Sequence, residues 1–365
     1  MLKEISIDNA EEWDQLVKNF QDYDVYYLSG YIKAFMIHGD GVPKLFYFED
    51  NCMKAMNVVM LRDIEKDENF IDKIPPNTYF DITTPYGYGG FLVEGSVDEN
   101  SLKLLENEYS TYCITAGIIS EFVRFHPVLH NSEMMKSIYY TSKLGKTITM
   151  ELNSKLQIWN NLISKNRNMV RKSLKSGVEI YCGRSKELFE AFIPLYNVTM
   201  DKDKAKQYYY FKENFYKSIL YDCKYNSIIF YAVYQDKIIA MSIVLLANGH
   251  MNYHLSAVDK QYQQLAPTNL LLYEAACWGC ENGFKTFHLG GGLGSKEDSL
   301  YKFKGSFNRE SNYEFVIGKK IFDEKKYKEL VEIRKNNTLN SDGQDLKIID
   351  STTTFFPQYR DVGTS

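Results

Sequence analysis

At 365 residues, of which 44% are hydrophobic and 25% charged, the chain is long enough for two domains, each with its own core. A net charge of -4 excludes a surface that is basic throughout, while leaving room for a local cationic patch. Residues 1–14 are polar and acidic, and the longest apolar run, 238–247, falls far short of the roughly 20 residues a membrane helix requires. Neither a secretory signal nor a spanning segment is expected, and the expected location is cytoplasmic.

Taken in order, helical periodicity marks 10–20 and 29–37, and strand signals follow at 44–49 and 53–62, joined by a turn at Asp50-Asn51. The stretch Thr84-Pro85-Tyr86-Gly87-Tyr88-Gly89-Gly90 combines glycines with ring walls, which suits an acceptor pocket with Tyr86 as one wall; a plain β-turn fits the same letters. A helix ending near Glu121 then runs into Phe122-Val123-Arg124-Phe125-His126.

The same plan returns later. A second strand pair covers 227–234 and 237–247, and a helix ending at Gly283 runs into Phe284-Lys285-Thr286-Phe287-His288, an offset of roughly 160 to 185 residues. The expectation is two related α/β domains with mixed sheets, residues 1–147 and 148–336, followed by a polar tail at 337–365. The six cysteines are scattered, as reduced core thiols are, and Cys277-Trp278-Gly279-Cys280 lies inside a helical pattern rather than at an exposed strand end.

Residues 156–176 read as one helix with an apolar stripe at Leu156, Trp159, Ile163, Val170 and Leu174, closed by Gly177. Arg167 falls on that stripe. With Lys165, Arg171, Lys172 and Lys175 it comes without an acidic neighbour, which offers a patch for phosphate or carboxylate. The region 199–211 mixes cations, among them Lys202, with aromatic rings, and fits either a nucleotide or sugar site or a helix pair packed with tyrosines. His250 and His254 could share a strand face, but no third ligand stands in a convincing position, so no metal is expected. Tyr253 and His254 read instead as polar groups facing a site.

That site centres on His288-Leu289-Gly290-Gly291-Gly292, which ends a strand, and on the short helix opened by Ser295 or Asp298. Glycines let backbone N–H groups approach a ligand, and a helix start adds partial positive charge, so anions and developing oxyanions suit the bend. Downstream the helix delivers Phe303 and Lys304. No nucleophile elbow and no Cys–His signature accompanies them. Backbone donors, a lysine and phosphate-binding cations without a nucleophile suit direct acyl transfer to an amine.

Two tandem domains, the 165–178 helix, Thr199-Met200, Tyr253-His254-Leu255-Ser256, Leu265-Ala266-Pro267, and Leu289-Gly290-Gly291-Gly292 followed by Phe303-Lys304 resemble the FemAB-like branch of the GNAT acyltransferases, over most of 25–335. The resemblance implies two GNAT-like domains, each a mixed, mainly antiparallel sheet flanked by helices. It implies transfer of an amino acid from aminoacyl-tRNA to a peptidoglycan precursor, with no tightly bound cofactor. Lys304 would stabilise the oxyanion and engage the donor, Phe303 would help through its backbone, Lys33 would bind acceptor phosphate and Tyr253 would contact the acceptor. Where relatives commonly carry arginine after Thr-Met this chain has Asp201-Lys202, and no long coiled-coil arm of the kind some tRNA-using members carry is seen.

Classical GNAT enzymes hold the acyl-CoA pyrophosphate on a glycine-containing loop. The corresponding Gln263-Gln264-Leu265-Ala266-Pro267-Thr268 lacks glycine, and Pro267 removes one N–H donor. Acyl-CoA, with an amino sugar or other small amine as acceptor, is the alternative chemistry; a non-catalytic ligand-binding protein on the same scaffold is the alternative class. The acceptor is expected to be a nucleotide- or lipid-linked cell-envelope precursor, with tRNA and the membrane surface as further contacts.

Overall fold

The computed structural model describes residues 1–336 and 354–361. Its first half runs β1 (Leu2–Ser6), α1 (Ala10–Lys18), α2 (Ser29–His38), β2 (Val42–Glu49), β3 (Met53–Asp63), β4 (Phe80–Thr83), β5 (Leu92–Gly95), α3 (Glu99–Thr115), β6 (Ile118–Arg124) and β7 (Tyr140–Glu151). The second half runs α4 (Lys155–Asn161), α5 (Ser164–Lys175), β8 (Glu179–Gly183), α6 (Lys186–Lys202), α7 (Glu213–Tyr221), β9 (Ser227–Tyr234), β10 (Lys237–Ala247) and β11 (His250–Val258). It closes with α8 (Pro267–Glu281), β12 (Thr286–Gly290), α9 (Ser299–Gly305), β13 (Tyr313–Ile321) and α10 (Glu324–Asn336).

The chain folds as two compact units that are not consecutive halves. One unit takes Met1–Gln21, Gly39–Lys143 and the described residues from Val316 onward; the other takes Asp22–His38 and Leu144–Phe315. The sequence predicts a simple division at 147, whereas α2 joins the second unit and the end of β13 joins the first. The reason lies in strand pairing: β13 completes the first sheet beside β6, and β7 completes the second beside β12.

In the first unit the strands follow β1-β2-β3-β4-β6-β13, with β5 also on β3. All pairs are antiparallel except β4 with β6. The core holds Phe46, Phe48, Val59, Leu105 and Val123, with Leu105, Tyr109 and Cys113 of α3 facing the sheet at helical spacing. α3 stops at Thr115 rather than near Glu121, because Gly117 turns the chain at φ +71 and residues from Ile118 pair with β4.

Glu121 is buried in this core. Its carboxyl accepts from Tyr139 Oη at 2.8 Å, Tyr109 Oη at 3.0 Å and Asn57 Nδ2 at 2.8 Å. Part of the stretch expected as a polar tail, 337–353, lies outside the described residues, but 354–361 packs into this unit. Tyr359 is fully buried with its hydroxyl 2.8 Å from Ser120 Oγ, and Arg360 pairs with both Asp81 and Asp67.

In the second unit the strands follow β8-β9-β10-β11-β12-β7, again antiparallel except for one pair, β11 with β12. The repeated hairpin and the repeated helix-then-strand thus take equivalent positions in the two sheets. The apolar run 238–247 is the central strand β10, buried on both faces, which accounts for its unbroken hydrophobicity. Among the described residues no helix is long and apolar enough to cross a membrane.

The predicted single helix over 156–176 is two helices. Leu162 and Ile163 are extended, and the Ile163 N–H bonds the Ser306 carbonyl at 3.0 Å instead of continuing the helix. Val170 of the expected stripe is buried, whereas Leu156 and Leu174 are exposed. Gly177 closes α5 at φ +83, with the Val178 N–H returning to the Ser173 carbonyl.

Candidate functional site: a glycine bend and a buried lysine

β12 brings the chain to the bend. Opposite β7 its register slips between His288 and Gly290, and Gly290 turns out of the strand at φ +78. His288 is held inside, its Nδ1 2.9 Å from Thr149 Oγ1. A Cβ on Gly292 would lie 2.1 Å from the Lys296 carbonyl oxygen and 2.3 Å from Asp298 Oδ1, so only glycine fits there.

Asp298 is the clamp that the sequence presents only as a helix cap. Its carboxylate accepts from the Tyr301 N–H at 2.9 Å, opening α9, and from the Leu293 N–H at 3.1 Å across the bend. These backbone hydrogen bonds hold the carboxyl below its usual range. The partial positive charge expected at this helix start therefore meets the chain's own carboxylate, which leaves Lys304 as the buried cation at the bend.

Lys304 sits one turn along α9 and is 9% exposed. Its Nζ donates to the Gly291 carbonyl at 2.7 Å. Burial pushes its ammonium down to about 8, with Asp298 acting in the opposite direction. Phe303 stands half-buried beside it, its ring edge-on to Phe307 at 5.4 Å.

Three asparagines that sequence reasoning passed over fix α9 and the residues that follow it. Asn166 of α5, buried, donates to the Ser306 carbonyl at 3.2 Å, and Asn269 in the first turn of α8 donates to Asn166 Oδ1 at 2.8 Å. On the other side Asn308 Nδ2 donates to the Thr149 carbonyl and to Glu151 Oε2, both at 2.7 Å. Each is a single polar letter in an ordinary context, and only their distant partners reveal them.

Tyr253 and His254 lie on β11, whose residue Asn252 pairs with His288 of β12. Opposite β10 the ladder steps from Leu255 to Tyr253, so His254 is the extra residue of a bulge. Burial pushes the His254 imidazole down to about 3, keeping it neutral, and its ring packs against Tyr31 and Phe35 of α2 at 5.7 and 5.9 Å. Burial raises the Tyr253 hydroxyl, partly offset by the Ser256 and Ser242 hydroxyls. Lys33 is half-buried on the same α2.

The other predicted residues belong to other elements. Arg167 is half-buried and folds back on α4, donating to the Leu162 carbonyl at 3.0 Å, so it holds the end of that helix. Arg171 is exposed and stacks on Trp159 at 4.9 Å. Lys202 is exposed at the end of α6. Tyr86 belongs to the first unit, in the 84–90 loop, where Arg124 donates to the carbonyls of Thr84, Pro85 and Gly87.

Cys277 is buried in α8 and its thiol is pushed up to about 11 by that burial, against a redox role. Among the described residues no group of His, Cys, Asp or Glu is placed to hold a metal ion.

Residues 163–303, which contain the bend, match the family model of the acetyltransferase (GNAT) domain. No curated protein matches the sequence. Among solved structures the fold is similar to that of FemX, at 14% identity and a TM-score of 0.63, over 89% of this chain and 99% of that one. It is similar to a conserved protein of unknown function from Bacteroides thetaiotaomicron, at 10% identity and a TM-score of 0.55, over 87% and 98%. It also resembles a tandem GNAT protein from the clavulanic acid biosynthesis pathway, at 6% identity and a TM-score of 0.50, over 88% and 99%.

Proposed function

From the premise that this chain is an acyltransferase of GNAT type with a FemX-like fold, we propose that it passes an aminoacyl group from aminoacyl-tRNA to an amine of a nucleotide- or lipid-linked cell-envelope precursor. The observation that carries this reading is the Lys304 ammonium, desolvated and aimed at the Gly291 carbonyl. A cation held there neutralises the oxyanion that forms when an amine attacks an ester carbonyl, and it acts more strongly for being dry. As the tetrahedral intermediate collapses, the new nitrogen–carbon bond remains, the ester carbon–oxygen bond breaks, the ester oxygen leaves with the proton that the attacking amine gives up, and no covalent enzyme intermediate is required. Phe303 shapes the wall beside Lys304. Lys33 and Tyr253 serve the acceptor in this reading, and transfer takes place in the cytoplasm.

The match of 163–303 to an acetyltransferase domain favours a second reading, acyl-CoA as donor. Against it stands the start of α8: Ala266 takes a left-handed conformation, φ +54, and Pro267 at the first helical position has no N–H to offer a pyrophosphate. Incubation of the protein with charged tRNA or with acyl-CoA, and with amine acceptors, separates the two. The aminoacyl reading expects transfer from charged tRNA that Lys304→Ala abolishes; transfer from acyl-CoA alone overturns it.

A further inference from the structure

The solvent face of α5 gathers cations. α5 buries Asn166, Val170 and Ser173, and turns Lys165, Arg171, Lys172 and Lys175 outward. The helix has no acidic residue, and none of these four cations is ion-paired among the described residues. The neighbouring Lys155 of α4 does have a partner, Glu281. A concentration of unpaired cations on a chain of net charge -4 is a local feature.

Apolar surface accompanies the charge. Leu174, 52% exposed, borders Arg171 at the edge of the cationic arc, and Leu156, 70% exposed, lies one turn before Trp159 on α4, where Arg171 covers the indole. A polyphosphate backbone gains from the cations but nothing from the leucines. A bilayer surface gains from both, since anionic headgroups meet the cations while the exposed leucines enter the acyl boundary.

We propose that the α4–α5 face docks this protein on an anionic membrane surface. The proposal does not depend on which acyl donor is used, because vesicle binding is read without turnover.

The test is co-sedimentation of the full chain with vesicles of phosphatidylcholine alone or with roughly a third phosphatidylglycerol. The wild type is expected to bind only the anionic vesicles. Lys165→Glu, Lys172→Glu and Lys175→Glu together should weaken binding at least about tenfold, and since none of the three has a partner in the fold, the circular dichroism should not change. Leu174→Ser should weaken binding several-fold and make the remainder fully removable by salt. No binding to anionic vesicles overturns the proposal, as does binding that the triple variant retains. Binding of a short RNA hairpin that the triple variant loses, with no vesicle binding by the wild type, assigns the face to nucleic acid instead and also overturns it.

Discussion

Lys304 Nζ and the Gly291 carbonyl oxygen are 2.7 Å apart, closing a ring in which the helix after the bend grips the bend itself. The ammonium is thus positioned by the same loop whose backbone would meet the reacting carbonyl. Removing it should cost what loss of a single oxyanion donor costs, about a hundredfold or more in kcat. Lys304→Met keeps the stem that packs in α9 and isolates the charge. With burial pushing the ammonium down to about 8, the charged form declines as pH rises through that value. The rate should fall above about pH 8 if the ammonium is the acting form, and a rate that climbs through pH 9 would identify it as a base instead.

Gly292 and Gly294 separate crowding from backbone strain. At Gly294, φ +58, a Cβ meets nothing within 4 Å, so alanine should cost only the about 1 kcal/mol of a left-handed residue. At Gly292 the same Cβ collides with the Lys296 carbonyl and the Asp298 carboxylate, and the clamp must open. Gly292→Ala should therefore lose most activity while Gly294→Ala keeps most of it, at similar melting temperatures. Equal activities in the two variants would argue against the bend as the site.

Glu121 makes stability depend on pH in the unusual direction. Burial raises its carboxyl to about 7, although Tyr139, Tyr109 and Asn57 act to lower it. A group whose folded value exceeds its unfolded value of 4.5 contributes stability that is fully present below pH 4.5 and is lost as pH rises through 7. The change over that window is about 3 kcal/mol. Urea unfolding of the wild type minus that of Glu121→Gln, followed from pH 4.5 to 7.5, should show this slope. A difference that stays flat would mean the carboxyl is ionised throughout.

Arg360 joins a buried carboxylate. Burial alone would raise the Asp81 carboxyl, but Arg360 and Arg62 outweigh it and hold it below the usual range. Arg360→Ala leaves Asp81 with Arg62 alone, and the expected loss is about 3 kcal/mol, seen as a lower urea midpoint at unchanged m. A loss below about 0.5 kcal/mol would mark the pair as a surface contact in energetic terms.

Much of this fold was legible where the signal is local. Both hairpins, the Gly177 helix end and the helix start that Asp298, one of two candidates, turns out to cap are written in alternation, glycine and capping letters within a few residues. The break between α4 and α5 was not, because the Ile163 N–H is drawn off by Ser306, a partner distant in sequence. The glycine bend that ends β12 and the short helix that carries Lys304 were legible from their letters. The asparagines that fix α9, and the bulge that buries His254, exist only as tertiary relationships, and no periodicity announces them.

The exchange of β7 and β13 also sets an order of events on the ribosome. The unit that contains the first residues cannot complete its sheet until Val316 and later residues have emerged, whereas the other unit has all its parts once Phe315 is made. Synthesis from the N-terminus therefore finishes the later-encoded unit first, and β6 must wait with an open edge for nearly two hundred residues of translation. Splitting the gene after codon 147 would leave both fragments incomplete, one without β13 and the other without α2.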